Sequence, residues 1–239
     1  MRTAPGYGSE RRATSSHHAV RRMSALRFTL VADGPTDAML LYPLRWLLIQ
    51  NGVVRPIEPA WADLRQLPKP PTGLERKIGA ALDLYPCDLL FIHRDAENQP
   101  REDRISEIQQ AVRQVSSDLF TSKPHVCVVP IRMTEAWFLF DELSIRRAAG
   151  NPAGRGILSL PSLSKIESLP GPKQALHELL RAATELPLRR LKKFSTAQAC
   201  YRLAELIDDF SPLRRLSAFA NLETDVQSII QAAGWRTPV

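Results

Sequence analysis

The sequence predicts an α/β protein with an open parallel sheet flanked by helices, followed by an all-α extension at the C-terminus. Two observations predict this fold. Short apolar runs alternate with longer segments in which apolar residues recur at helical spacing. From residue 150 onward the strand-like runs stop, and helical patterns are separated by loops rich in proline and glycine. We therefore divide the chain into a basic tail at 1–24, an α/β domain at 25–150 and a helical extension at 151–239.

The α/β domain is expected to begin with a buried strand and a helix. Residues 27–32, RFTLVA, form a short apolar run that ends at Asp33-Gly34. Thr36 can cap the following helix, and Asp37 lies in its first turn, where a negative charge interacts favourably with the helix dipole. Pro43 either kinks this helix or marks its start. The apolar stripe of the helix consists of Leu40, Leu41, Leu44, Leu47 and Leu48.

Three further strands are expected in this domain, each followed by a helical pattern. The strands lie at 53–57, 88–93 and 125–131. The helices lie at 74–85, 105–119 and 134–149. In the extension, helical segments are expected near 173–185, 195–209 and 222–233. The run DLLFIH at 88–93 is the clearest strand of the chain, and the run at 53–57 is the weakest.

Charge and composition exclude several classes of protein. The net charge is +7, but five arginines against Glu10 alone give residues 1–22 a charge of +4, which leaves +3 for the rest. The folded part is therefore only mildly basic. Three cysteines without a CxxC pair argue against a disulfide framework or a zinc site and favour a reducing compartment, so we expect a cytoplasmic protein. No apolar run is long enough to span a membrane.

The tail at residues 1–24 has no apolar core of the kind found in secretion signals. Its arginine and serine content is also typical of transit peptides. We expect it to be disordered, or to precede a true start at Met23.

Acidic residues follow the predicted strands. Asp33 and Asp37 follow the first strand, Asp95 and Glu97 follow the clearest one, and Glu135 follows the last. Carboxyl ends of parallel strands meet at one edge of a sheet, where ligands bind. So many carboxylates at close range need a cation, and oxygen ligands without a cysteine or histidine cluster indicate Mg²⁺ or Mn²⁺. The chemistry typical of such a site is phosphoryl transfer, including phosphodiester cleavage.

Each of these signals also has a purely structural interpretation. The turn at 33–37 and the loop at 95–97 are compatible with ordinary turns and helix caps, and Glu135 with a helix start. His93 is interpreted as a half-buried strand residue, with a proton shuttle as the alternative. Nucleic-acid contacts are expected at Arg94 and in the basic run at 189–193, although such residues also form surface salt bridges and solvated faces. The basic run supplies Arg189, Arg190, Lys192 and Lys193.

Two motifs carry a resemblance to a known family. A strand that ends in VADGPTD, followed by a strand that ends in HRDAEN, resembles the Toprim domain of topoisomerases, primases and nucleases of the overcoming-lysogenization-defect type. The stretches PIRMTEAWFLFD and FSPLRRLSAFANLE resemble a small Toprim-like family that is often encoded beside an AAA- or ABC-type ATPase in bacterial defence loci. The resemblance spans residues 26–233.

The resemblance implies roles for four acids. Asp33 takes the place of the Toprim glutamate, which binds metal or acts as a general acid or base, and Asp37 matches a second acid of the nuclease branch. Asp95 and Glu97 take the places of two metal-binding aspartates. The chain thus has aspartate for glutamate at 33 and glutamate for aspartate at 97, and each change moves a carboxylate by about one methylene.

The function implied is that of a Mg²⁺-dependent nuclease acting on DNA or RNA, with Asp33, Asp37 and Asp95 as catalytic residues. It would serve as the effector of an ATPase-associated phage defence system. The alternative is a catalytically degenerate binding or regulatory subunit that keeps the scaffold. The chain has no glycine-rich phosphate loop and is not expected to be an ATPase itself.

Overall fold

The protein is built on a four-stranded, all-parallel sheet with strand order β2-β1-β3-β4. A computed structural model describes residues 24–115 and 123–236. Apart from its last residue, the predicted disordered tail at 1–24 lies outside these described residues. The strands are β1 (Leu26–Val31), β2 (Ile57–Trp61), β3 (Leu89–His93) and β4 (His125–Val128). The predicted fold class, an open parallel sheet with helices and a helical C-terminal part, is confirmed.

Nine α-helices are found in the described residues. Within the predicted α/β domain they are α1 (Leu41–Gln50), α2 (Leu74–Leu84), α3 (Arg101–Gln114) and α4 (Glu142–Ala148). The C-terminal part contains α5 (Leu163–Ile166), α6 (Pro172–Ala183), α7 (Leu188–Leu191), α8 (Thr196–Leu206) and α9 (Ser217–Ala232). Short 3₁₀ helices lie at Pro35–Leu40, Leu64–Gln66, Thr134–Phe138 and Ser211–Arg215. None of the helices that the structure describes has the length and apolar character needed to cross a bilayer.

Both faces of the sheet are covered, which explains why β3 is apolar and buried at every position before His93. Phe28 and Phe91 face the helical C-terminal part, and their rings meet edge to face at 5.2 Å. Val31 and Ile92 face the opposite side, where they pack in a second cluster with residues of α2 and α3. Alternation with a period of two thus assigns each strand residue to one of two cores.

The second strand lies four residues later than predicted, at Ile57–Trp61 instead of 53–57. Its register with β1 pairs Leu26 with Ile57 and Leu30 with Trp61. Pro59 is tolerated in β2 because β2 is an edge strand, so the N–H that proline lacks would point away from β1. Val53 instead forms an isolated antiparallel bridge with Arg236.

The helix predicted at 134–149 is divided into a 3₁₀ helix at Thr134–Phe138 and α4. The division occurs at Asp141, whose side chain accepts hydrogen bonds from the N–H and the hydroxyl of Ser144 at 3.0 and 2.7 Å. An aspartate N-cap of this kind starts a new helix. The helix predicted after β1 is also divided into a 3₁₀ helix and an α-helix. Asp37 lies in the 3₁₀ helix Pro35–Leu40, and Pro43 lies in the first turn of α1, where proline is tolerated.

The C-terminal helices share a core with the sheet. One continuous hydrophobic cluster includes Phe28 and Phe91 of the sheet, Leu44 of α1, Leu203 of α8 and Phe219 of α9. The rings of Trp137 and Phe219 meet edge to face at 5.1 Å, and Trp137 is fully buried. The helical part therefore packs directly against the elements that carry the strand-end acids.

A buried carboxylate on α9 forms a hydrogen bond with the residue that caps the end of α1. Glu223 of α9 accepts two hydrogen bonds from Arg214, at 2.8 and 2.7 Å, and a third from the side-chain amide of Asn51, at 3.0 Å. The hydrogen bond from Arg214 is the main reason that the pKa of Glu223 lies below its ordinary value. The guanidinium of Arg214 also lies 5.0 Å from the ring centroid of Trp46.

We expect Glu223→Gln to lower the free energy of unfolding by about 1–2 kcal/mol at pH 7, because a charge-assisted pair is lost while the shape is kept. The folded-state pKa lies below the unfolded value, so this contribution is complete above the unfolded pKa of roughly 4.3 and disappears as the pH falls through the folded-state pKa. Urea unfolding at pH 7 and pH 3 measures it. Exposed Glu178→Gln is the control, and an equal loss at both pH values would contradict the assignment.

Candidate metal centre

The candidate site lies where the order of strands reverses. The chain passes from β1 to β2 on one side and then returns to β3 on the other side of β1. The helix after β1, α1, packs on one face of the sheet, and the helix after β3, α3, packs on the other. The connections that leave β1 and β3 therefore diverge and open a crevice at the carboxyl ends of these strands, where open α/β sheets bind ligands.

Three side chains converge at this crevice, namely Asp37, His93 and Asp95. One donor atom from each lies within 4.8 Å of the donor atoms of the other two, a grouping that could hold a metal ion. Among the described residues it is the one cluster of three or more such side chains. His93 is 1% exposed and Asp37 is 9% exposed, whereas the side chain of Asp95 is 20% exposed, so solvent reaches the site at Asp95.

Local structure positions each of these side chains. The carboxylate of Asp37 accepts a hydrogen bond from the N–H of Gly34 at 2.9 Å, which closes the turn before the 3₁₀ helix. His93 is the last residue of β3. The carboxylate of Asp95 accepts hydrogen bonds from the N–H and the hydroxyl of Thr134 at 2.8 and 3.2 Å, at the start of the 3₁₀ helix that follows β4. Three strand ends are thus connected in one network.

One nitrogen of the His93 ring has no hydrogen-bond partner within residues 24–115 and 123–236. Nε2 lies 3.1 Å from Oδ1 of Asp95 and 3.0 Å from the hydroxyl of Thr134. In the neutral tautomer whose Nε2–H donates to the Asp95 carboxylate, the lone pair of Nδ1 is left available. Nδ1 is buried, has no partner among the described residues, and lies 3.7 Å from Oδ2 of Asp37. A lone pair that faces a carboxylate across this gap needs either a shared proton or a bound cation.

The pKa values of Asp37 and His93 both lie above their ordinary values, for different reasons. Burial raises the pKa of Asp37, although the nearby His93 opposes the rise. Burial alone would lower the pKa of His93, but the hydrogen bond to Asp95 and the carboxylates of Asp37 and Asp95 raise it above its ordinary value. The charges around the imidazole therefore favour a proton or a metal cation at this position.

The other three predicted metal ligands lie outside this group. Asp33 is exposed, and its carboxylate is held by Lys77 at 2.8 Å and by Arg94 at 2.5 Å. Glu97 has a left-handed backbone with φ of 55°, and its carboxylate pairs with Arg104 at 3.0 Å. Both carboxylates are thus bound by cations of the protein itself.

Glu135 is buried, 3% exposed, and lies 3.6 Å from the ammonium group of Lys173 in α6. Burial raises its pKa. Lys173 opposes this rise, and the carboxylates of Asp95 and Asp37 add to it. Glu135 is therefore electrostatically coupled to the cluster without being one of its three members.

His93 is the site residue that the sequence interpretation did not include among the ligands. It was expected to be half-buried, and it is fully buried because its side chain lies on the same covered face as Phe91. The sequence feature that could have identified His93 is its position at the end of the most apolar strand, two residues before Asp95. The prediction of Mg²⁺ or Mn²⁺ rested on oxygen ligands without a cysteine or histidine cluster, and in the structure one histidine joins the two carboxylates.

The predicted nucleic-acid contacts fall in two places. Arg94 lies beside the centre and pairs with Asp33 and with Glu107, at 2.5 and 3.1 Å. The basic run lies on and after α7, where all four cations are exposed, and in the described part of the chain none of them forms an ion pair within 4.0 Å. They are Arg189, Arg190, Lys192 and Lys193. A cavity of 810 Å³ adjoins them, with Leu186, Pro187 and Phe194 in its walls.

Comparison of the chain with protein-family models, with curated proteins and with solved structures gave no match. The function is therefore argued from the geometry of the site.

Proposed function

We propose that the protein is a divalent-metal-dependent phosphodiesterase that cleaves DNA or RNA. The observation that carries the proposal is Nδ1 of His93, which has no hydrogen-bond partner among the described residues and faces the carboxylate of Asp37 at the crevice between the ends of β1 and β3. A divalent cation bound there would supply Lewis-acid polarisation of the phosphate and an activated water. Glu135 is electrostatically coupled to Asp37 and Asp95 and would add negative charge near such an ion.

The donor set favours Mn²⁺ over Mg²⁺. Mg²⁺ prefers oxygen ligands alone, whereas imidazole is a ligand of transition metals, and Mn²⁺ accepts both carboxylates and imidazole. Asp37 and His93 would hold the ion. Asp95 orients the ring of His93 through its hydrogen bond to Nε2, in the manner of the carboxylate–histidine pairs that support metal sites.

The chain also offers cations for a polyanionic substrate. The four exposed cations of the basic run suit phosphate groups of a nucleic-acid backbone, and Arg94 lies beside the centre. The resemblance of the sequence to Toprim-like proteins encoded beside ATPases extends the proposal to an AAA- or ABC-type ATPase partner and to phage defence in the cytoplasm.

Cleavage assays test the proposal. Purified protein is incubated with labelled single- and double-stranded DNA and with RNA, in Mn²⁺, in Mg²⁺ or in EDTA. We expect cleavage of at least one polymer in Mn²⁺, slower cleavage in Mg²⁺ and none in EDTA. Cleavage that is equally fast in EDTA, or the absence of cleavage of every polymer with either metal, would contradict the proposal.

A second candidate function is a non-catalytic binding or regulatory subunit. The observation that favours it is that Asp33 and Glu97, the two positions that depart from the Toprim pattern, are both held in ion pairs with cations of the protein. This alternative predicts nucleic-acid binding that does not respond to metal and is not followed by cleavage. Filter binding of the same labelled polymers in EDTA and in Mn²⁺ separates the two functions.

A further inference from the structure

A small cavity lies next to the metal centre, at the carboxyl ends of β1 and β2. Its volume is 140 Å³, and its walls include Ala32, Asp33, Trp61, Pro71 and Lys77. This volume suits a group of a few heavy atoms, because a water molecule occupies about 30 Å³ in the liquid. The cavity is large enough for one phosphate group and too small for a folded macromolecule.

Two cations from different elements meet at the carboxylate of Asp33, and one of them, Lys77, shares the wall of this cavity with Asp33. Oδ1 of Asp33 accepts a hydrogen bond from Lys77 of α2, and Oδ2 accepts one from Nη1 of Arg94, which follows β3. The other end of the Arg94 guanidinium is anchored by Glu107 at 3.1 Å. Lys77 and Arg94 therefore present N–H groups to a single anionic position, which Asp33 fills.

The Asp33 carboxylate is well suited to be exchanged. Its side chain is 43% exposed, against 27% for Lys77 and 24% for Arg94. Exposed ion pairs contribute little to stability because water and salt compete with them. A phosphate group carries more charge and more acceptor oxygens than a carboxylate, and both lysine and arginine bind it well.

We propose that Lys77 and Arg94 form a binding site for one phosphate group of the substrate, and that Asp33 is its displaceable internal counter-ion. Arg65 also lines the cavity, where its guanidinium pairs with the carboxylate of Asp63 at 2.7 and 2.8 Å. The inference rests on the proposed function for the identity of the anion as substrate phosphate. It assigns Asp33 to substrate binding rather than to the metal.

The test is a calorimetric titration with inorganic phosphate in EDTA, so that the metal plays no part. Asp33→Asn removes the counter-ion and is expected to tighten phosphate binding about fivefold. Lys77→Ala is expected to weaken phosphate binding about tenfold. In the double variant with Asp33→Asn, it should abolish the tightening that Asp33→Asn alone produces. Lys165→Ala removes the same charge from an exposed position in α5 and should bind phosphate like the wild type.

A second binding experiment distinguishes a site for free phosphate from a site for a backbone phosphate. Fluorescence anisotropy with a short single-stranded oligonucleotide, again in EDTA, should show the same order of affinities if the site takes a backbone phosphate. If only inorganic phosphate responds, the site takes free phosphate. Unchanged or weaker phosphate binding by Asp33→Asn would overturn the inference. Failure of metal-dependent cleavage would leave this metal-free result unaffected, so the two failures are distinguishable.

Discussion

Asp95→Ala is expected to reduce Mn²⁺-dependent cleavage by about 100-fold or more. One oxygen of Asp95, Oδ1, lies within hydrogen-bonding distance of Nε2 of His93 and of the N–H and the hydroxyl of Thr134. Its removal frees the imidazole ring to rotate and to change tautomer, and loss of such a supporting carboxylate typically costs 10–100-fold in metal affinity or activity. Loss of a carboxylate charge beside the ion adds to this effect. The rate is measured with the polymer that the wild type cleaves fastest.

Two further variants serve as comparisons for Asp95→Ala. Asp95→Asn preserves the shape and can still accept from Thr134, but it has lost the charge, and we expect it to be nearly as inactive as Asp95→Ala. Asp208→Ala removes an exposed aspartate after α8 and should cleave at the wild-type rate. Near-UV circular dichroism shows whether each variant keeps its packed core. A folded Asp95→Ala protein that cleaves normally would end the catalytic assignment of this residue.

Asp37→Asn is expected to weaken Mn²⁺ binding by about 10–100-fold. The substitution removes the carboxylate that faces Nδ1 of His93, and an amide is a far poorer ligand for a divalent cation. The apo protein should not lose stability, because burial disfavours the charged form of Asp37. Affinity is measured from the electron paramagnetic resonance signal of free Mn²⁺ during a titration.

Asp33→Asn is the matched control for this titration. It is the same chemical change four residues earlier in the same turn, but the carboxylate of Asp33 is bound by Lys77 and Arg94 and lies outside the cluster. We expect Asp33→Asn to bind Mn²⁺ with wild-type affinity. Equal losses for the two variants would show that Asp33 turns to the metal and would favour the role that the Toprim resemblance implies for it.

The fold was predictable because its signals are local. The apolar runs at β1 and β3 and the helical stripes of α1, α2 and α3 depend on residues close together in the sequence. The position of β2 was not predictable, because its register is fixed by pairing with β1 rather than by its own apolar content. The division of the helix after β4 depended on a single cap, Asp141, within a continuous helical pattern.

The candidate site was predictable at the level of the sheet edge but not of the individual side chain. The rule that parallel strands end at one edge placed Asp37 and Asp95 in the same region. It could not show that Arg104 binds Glu97, or that Lys77 and Arg94 bind Asp33, since these pairs depend on the packing of α2 and α3. Nor could it show that His93 turns its ring toward the two aspartates.

Anomalous scattering from a crystal soaked in Mn²⁺ tests most directly whether Asp37 and His93 hold one divalent cation, with Asp95 orienting the ring of His93. The account predicts a single strong anomalous peak within coordination distance of the Asp37 carboxylate and of Nδ1 of His93. The absence of a peak at saturating Mn²⁺, or a peak bound by Asp33 and Glu97 without His93, would contradict it.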